Sequence, residues 1–197
     1  DIGSGTGIIS LMLAQRADAM NIDAVEIDEK AYEQTVENFE QSDWGDRLYC
    51  YNTTLQEFAD EIAEEEETYD LIVTNPPFYT DEFESDDTAR NKARFTSSLT
   101  FEELLSGVVK ILSLDGTFAL IIPFKEENFI NLAKTKGLFL SRVCHVQGNA
   151  ASEIKRSLLE FSFHSLGIKK EHLIIEIERH QYTKEYINLT KGFYLKM

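Results

Sequence analysis

Folding alone gives little reason for the run Asn75-Pro76-Pro77-Phe78. Its residue types suit work on an amine. The exocyclic amine of a base such as adenine is a poor nucleophile, because its lone pair is delocalised into the ring. Two acceptors on its hydrogens, the Asn75 side-chain oxygen and the Pro76 carbonyl, would favour a tetrahedral nitrogen with the lone pair free. Such contacts act on charge that develops in the transition state. Proline rigidity fixes the direction of the carbonyl. Phe78 offers a ring on which an extruded base can stack, offsetting an unstacking cost of a few kcal/mol. The plain alternative is a rigid loop with Phe78 in the core.

A second set of residues could hold a ligand. Asp1-Ile2-Gly3-Ser4-Gly5-Thr6-Gly7 is a glycine-rich turn leading into a helix, so its backbone can approach a bound molecule and present N–H groups to it. Asp1 would repel a pyrophosphate, and suits instead the ammonium of an amino-acid-like cofactor. Glu26, at the end of the next strand, can accept both hydroxyls of a ribose, with Asp28 as the nearby alternative. A tight strand–helix turn without a ligand is the rival reading.

The charge balance qualifies what partners are open. The net charge is −16, from 35 acids against 19 bases, which opposes an extended phosphate contact. The acids are bunched, however, in Glu57 to Glu67 and Asp81 to Asp87. Bases collect at Arg90/Lys92/Arg94, at Lys134/Lys136/Arg142 and from Lys155 to Arg179. A local basic face is therefore compatible with an acidic total. Neither Cys50 nor Cys144 belongs to a CxxC pair, which predicts inert thiols and a cytoplasmic setting. His145, His164, His172 and His180 are scattered, and no metal is expected. No apolar run reaches the ~20 residues of a membrane span.

These residues need elements to position them. Helical patterns cover Leu11 to Ala19, Glu29 to Gln41, Thr54 to Glu67, Phe101 to Leu112 and Glu126 to Lys136. Thr100 with Glu103 reads as a capping box, and Gly137 as a helix stop. Strand patterns cover Ile22 to Ile27, Arg47 to Asn52, Tyr69 to Thr74, Thr117 to Ile122, residues 138–147, 156–166 and 171–178, and a short helix runs from Thr183 to Thr190. A polar loop spans residues 75–98. Alternation through residue 137, then strands in succession, predicts an α/β doubly wound, mostly parallel sheet with antiparallel strands at its C-terminal edge. One domain over 1–197 is expected. The glycine turn has no strand before it, so the first strand and an N-terminal segment are expected to be truncated.

The glycine turn and Glu26 together resemble the S-adenosylmethionine site of Rossmann-like class I methyltransferases. The resemblance implies Asp1, Gly3, Ser4, Gly5 and Gly7 at the methionine part, and Glu26 with Ile27 at the ribose. Many members place an Asp after the third strand for the adenine; here Thr54 stands there, beside Leu55. Asn75-Pro76-Pro77-Phe78 resembles the (D/N/S)PP(F/Y/W) motif of amino-methyltransferases, which act on DNA or RNA adenine, guanine N2 or a glutamine amide. A wider likeness narrows the choice. It includes Ala14-Gln15-Arg16, Asp23 to Glu26, Asn75 to Tyr79, Arg90 to Leu99 and Tyr182 to Met197, and is similar to the bacterial tRNA1(Val) adenine-N6 methyltransferase family. It implies S-adenosylmethionine as cofactor with S-adenosylhomocysteine as product. It also implies tRNA as partner, with the adenine 3′ of the anticodon as target. Tyr79, Arg90, Arg94 and Phe95 are expected to contact the RNA, in a monomeric enzyme. The alternatives are a glutamine-amide methyltransferase of release factors and a cofactor-binding module without catalysis.

Overall fold

The structure, a computed structural model, describes residues 1–76 and 99–195. Helix α1 (Ile8–Arg16) starts directly from the left-handed Gly7, three residues earlier than the apolar spacing predicts. Its C-terminus is held by Arg47, whose guanidinium donates to the carbonyls of Ala14, Ala17 and Ala19. Helix α2 (Glu29–Glu40) is capped by the Asp28 carboxylate, which accepts from Ala31 N. Helices α3 (Leu55–Glu64) and α4 (Phe101–Ile111) both begin in capping boxes, Thr54 with Glu57 and Thr100 with Glu103. The second pair is the one the sequence predicts. Helix α5 (Glu127–Thr135) and a short α6 (Lys184–Thr190) complete the described helices.

Strands β1 (Ile22–Val25) and β2 (Leu48–Tyr51) pair in parallel, as do β3 (Tyr69–Thr74) and β4 (Leu112–Pro123). Ile2 lies between the two pairs, bridging Val25 on one side and Thr74 on the other. The sheet continues from β4 through β6 (Ile154–Ser162), β5 (Phe139–Asn149) and β7 (Lys169–Glu178) to β8 (Gln181–Tyr182). Strand β6 is antiparallel to both β4 and β5, β7 is parallel to β5, and β8 is antiparallel to β7. The architecture is thus the expected mostly parallel α/β sheet. Its reversed strands lie in the C-terminal half, with β6 inserted between two parallel strands rather than outermost.

Boundaries moved where tertiary pairing extends a strand. The Asp115-Gly116 turn does not precede β4 but is absorbed in it as an irregularity, between the pairs Tyr69↔Leu112 and Leu71↔Thr117. Only glycine fits there, because a Cβ on Gly116 would stand 2.9 Å from the Tyr69 carbonyl oxygen. The two-residue β8 carries too little periodicity to be seen in the sequence.

Alternation within strands divides the core between the sheet's two faces. Ile22 and Ala24 join Ala14, Phe39 and Leu48 under α1 and α2, whereas Val25 joins the larger cluster of Phe58, Leu104, Leu105, Phe118, Leu120 and Phe161 under α3 to α5. A side-chain link ties β1 to β3, the Tyr69 hydroxyl donating to Asp23 Oδ2 at 2.5 Å. The C-terminal segment returns to α1. Gln15 donates to the Gly192 carbonyl and Arg16 to that of Leu189, both at 2.7 Å, and the Arg16 guanidinium lies 4.4 Å from the centre of the Phe193 ring.

Candidate active site

The glycine turn owes its shape to three left-handed residues, Gly3, Gly5 and Gly7, with φ of 67°, 60° and 76°. Their roles differ. A Cβ on Gly7 would come within 2.6 Å of the Phe39 ring and 2.8 Å of Thr35, so this glycine lets α1 pack on α2. Around Gly3 and Gly5 nothing lies within 4 Å of where a Cβ would be, leaving their outer side open to a ligand. The turn is held by its neighbours: Gly3 N donates to the Val25 carbonyl at 2.9 Å, Thr35 Oγ1 to the Gly5 carbonyl at 2.8 Å, and Asn38 Nδ2 to the Thr6 carbonyl at 2.8 Å. Sequence reading missed Thr35 and Asn38. They sit on α2 one turn apart, a spacing shared by any polar helix face.

Glu26 is buried immediately after β1. Its Oε2 accepts from Gly5 N at 2.8 Å and its Oε1 from Asp28 N at 2.9 Å. An ionised carboxylate has about four acceptor sites, so one on each oxygen stays available after these two bonds. A pair of ribose hydroxyls is the ligand such an arrangement suits. Of the two acids considered for this role, Asp28 is occupied as the α2 cap. Ile27 follows with its side chain more than half exposed, at 56%.

Asp1 is held from below. Its Oδ2 accepts from Ser10 Oγ at 2.9 Å and from Ser10 N at 3.2 Å. Its Oδ1 is buried without a hydrogen-bond partner among the described residues. A buried, unsatisfied carboxylate oxygen is costly and calls for a donor; the ammonium of an amino-acid cofactor is one. The open glycines, the spare acceptor sites on Glu26 and this oxygen together fit S-adenosylmethionine. The buried Ser4 side chain neighbours Cys50, whose thiol burial pushes up to about 11. That thiol is protonated at neutral pH.

On the far side of the turn, Asn52 Nδ2 donates to the Glu26 carbonyl at 2.9 Å and ties the ends of β1 and β2 together. Thr54 and Leu55 come next, at the start of α3. The Thr54 hydroxyl donates to Glu57 Oε2 at 2.8 Å and accepts from Glu57 N at 3.1 Å, so its role here is capping and one lone pair is left. Leu55 is buried, with its backbone in the first turn of the helix, where N–H groups lack intrahelical acceptors.

Asn75 follows β3 directly, with an exposed side chain, and Pro76 is buried behind it. Thr74 Oγ1 donates to the Ile2 carbonyl at 2.8 Å, which fixes the end of β3 against the opening of the glycine turn. The other sequence-derived site residues, Pro77, Phe78, Tyr79, Arg90, Arg94 and Phe95, lie outside the described residues. Among the described residues no three His, Cys, Asp or Glu side chains converge as metal ligands, and no helix is long and apolar enough to cross a membrane. A cleft of about 500 Å³ opens between β1 and β3 towards their N-terminal ends, walled by Ile22, Asp23, Phe58, Tyr69 and Leu71. It lies at the opposite end of the strands from Glu26 and Asn75.

A mostly parallel sheet with a glycine turn after its central bridge, an acid after the next strand and Asn-Pro-Pro after β3 defines a methyltransferase. The Methyltransferase small domain model matches residues 1–122. Among solved structures, a predicted O-methyltransferase from Agrobacterium tumefaciens superposes with a TM-score of 0.69 at 16% identity, over 98% of this chain and 87% of its own. A methyltransferase from Pyrococcus furiosus gives 0.56 at 21% identity, over 83% of this chain and 73% of its own. At these identities the likeness is one of fold. Sequence relatives are nearer. The tRNA1(Val) (adenine(37)-N6)-methyltransferase of Flavobacterium johnsoniae is 55% identical over 100% of this chain and 83% of its own length. That of Bacteroides fragilis strain YCH46 is 43% identical over 100% and 82%. The chain belongs to the tRNA1(Val) (adenine(37)-N6)-methyltransferase family.

Proposed function

We propose that this chain methylates N6 of an adenine in tRNA, the adenine 3′ of the anticodon in tRNA-Val, using S-adenosylmethionine. The observation that carries the reading is the junction of Thr74 with Ile2. It fixes Asn75, the group suited to activating an amine, beside the turn suited to the cofactor. The relatives' shared name supplies the acceptor.

Asp1 takes the cofactor's ammonium, the outer sides of Gly3 and Gly5 its methionine backbone, and Glu26 its ribose hydroxyls. Ser4 and Gly7 shape the turn. Ile27, the Thr54 hydroxyl and the Leu55 N–H would hold the cofactor's adenine. When bound, S-adenosylmethionine supplies an electrophilic methyl group on a sulfonium. The Asn75 oxygen and the Pro76 carbonyl accept from the two N6 hydrogens of the target base and draw its lone pair out of the ring. Both acceptors would strengthen as positive charge grows on N6 in methyl transfer. N6 then loses one proton to solvent. Pro77 stiffens the turn and Phe78 stacks on the base. Tyr79, Arg90, Arg94 and Phe95 contact the RNA around it. A loop adenine suits this chain, because loop bases are already partly unstacked.

The test is methyl transfer to total tRNA from cells lacking the enzyme, followed by nucleoside digestion and mass spectrometry. N6-methyladenosine is the expected product. Methylation of a protein glutamine, with no change in any tRNA nucleoside, would overturn the assignment.

A further inference from the structure

The C-terminal rim of the sheet carries a second cluster that the reaction does not use. Strand β4 outruns its neighbour. Thr74, the last residue of β3, pairs with Leu120, and Phe124 lies four residues further along. At ~3.3 Å per residue this is roughly 13 Å beyond the end of β3. Phe124 therefore stands above the level of Asn75, beside the point where the Asn-Pro-Pro turn leaves the sheet. Phe124 directly follows the end of β4 and is 41% exposed.

The ring is also held in place. His145, from β5, meets it edge to face at a centroid distance of 5.3 Å and an angle of 88°. His145 Nε2 is 2.8 Å from Glu126 Oε1, and Ser157 Oγ donates to Glu126 Oε2 at 3.0 Å. Ser157 is fully buried. One face of the phenylalanine is thus positioned by a polar network rooted in the core, on a sheet face shared with Leu159.

Cationic groups flank it. Lys125 has φ +90°, a conformation that costs a non-glycine residue energy and that concentrates at functional sites. Lys155 of β6 is joined to Phe124 through the backbone, its carbonyl accepting from Phe124 N at 3.1 Å. Both lysines are exposed, and neither forms an ion pair with another described residue. Lys125 thus follows Phe124 in the chain, and Lys155 is paired to its backbone. An aromatic face flanked by cations suits a nucleic-acid base with its phosphates.

We infer that Phe124, braced by His145 and flanked by Lys125 and Lys155, is a stacking ledge for a nucleotide adjacent to the methylated adenine, and so a positioning and specificity determinant for single-stranded RNA. The inference rests on the tRNA reading given above. With the neighbouring base stacked on Phe124 and its phosphates near the lysines, the target adenine is the nucleotide left over Asn75. The ledge favours adenines in loops, since a duplex cannot splay two adjacent bases as cheaply.

The test uses the full chain and an anticodon-loop RNA, made with ordinary nucleotides and also with an abasic residue on either side of the target. With the ordinary RNA, Phe124→Ala is expected to raise KM for RNA about tenfold to a hundredfold, the range for losing one base–aromatic stack. S-adenosylhomocysteine affinity should be unchanged, and Phe124→Tyr should restore KM. On one of the two abasic RNAs the wild-type protein should lose a similar factor, and Phe124→Ala should add almost nothing to it. Lys155→Ala should weaken RNA binding by a factor that shrinks with added salt. An unchanged KM for Phe124→Ala, or full additivity with both abasic RNAs, would overturn the ledge while leaving the tRNA reading intact. A wild-type protein that methylates neither RNA nor tRNA would instead sink the reading on which the ledge rests.

Discussion

Glu26 and Glu126 are two shielded carboxylates beyond the C-terminal ends of parallel strands, and they are built from different materials. Glu26 accepts from two backbone amides, Gly5 N and Asp28 N. Glu126 is held by two side chains, His145 and Ser157, which come from strands β5 and β6. The first carboxylate freezes a turn that sequence-local glycines have already shaped. The second joins three elements that nothing local brings together, and braces an exposed aromatic. The glycine-turn end of this molecule is consequently held by bonds to backbone amides. The rim at β4 to β6 is side-chain chemistry, open to retuning and to titration.

The largest effect that would sharpen this contrast lies between the two regions. Asn75→Ala should lower kcat by about 10² to 10³, the range for removing one preorganised group that acts on developing charge. S-adenosylhomocysteine affinity, measured by calorimetry, should change less than about twofold. Near-normal turnover would remove Asn75 from the chemistry.

Glu26→Ala should come next, with a loss of about 10- to 100-fold in cofactor affinity. Each hydrogen bond to a charged group is worth roughly 1.5–3 kcal/mol, and the turn itself loses its anchor. Glu26→Gln should recover little, because one oxygen would be replaced by an amide that points hydrogens at a backbone N–H. Full recovery by Gln would mean that the carboxylate does not staple the turn. If NAD raises the melting temperature and S-adenosylhomocysteine does not, the cofactor assignment fails.

Gly7→Ala should destabilise the protein by about 1–3 kcal/mol, as overpacking against Phe39 and Thr35 adds to an unfavourable φ. Gly3→Ala meets no such obstruction. It should cost less stability and proportionally more cofactor affinity. Equal effects from both changes would erase the distinction between the packing glycine and the ligand-facing one.

The smallest expected effect concerns pH. Burial alone would raise the Glu126 carboxyl, but the hydrogen bonds from His145 and Ser157 outweigh it and hold the group below its usual value of 4.5. A depressed carboxyl contributes stability that is present above about 4.5 and lost as pH falls through the depressed value. The melting temperature of Glu126→Gln should therefore fall less steeply below pH 4.5 than that of the wild type. Parallel acid profiles would show that the brace carries no charge-dependent stability.

How much of this was legible in the sequence follows the same division. Asp1, the three glycines, Glu26 and Asn75-Pro76 stand out in the sequence because their residue types and spacing are unusual there. Short-range spacing preserves that information. The α/β alternation, the Thr100–Glu103 cap and most strand cores were legible for the same reason. The support given by Ser10, Thr35, Asn38 and Asn52 was not, since single polar residues on helices and strand ends are common and only their approach to the turn gives them a role. The spacing of Thr54 from Glu57 is that of a capping box, the same as Thr100 with Glu103, and the fold shows the bond that this spacing allows.

By itself the sequence determined a methyltransferase-like order of elements and the Asn75-Pro76 junction at the end of β3. Tertiary structure alone decided that β6 would insert antiparallel between β4 and β5. Register with Phe118 to Pro123 on one side and Phe139 to Gln147 on the other selects that arrangement. It brings His145 against Phe124 and Ser157 against Glu126, from 21 and 31 places along the chain. Such contacts arise from strand pairing between distant segments, and no local pattern of residues encodes them.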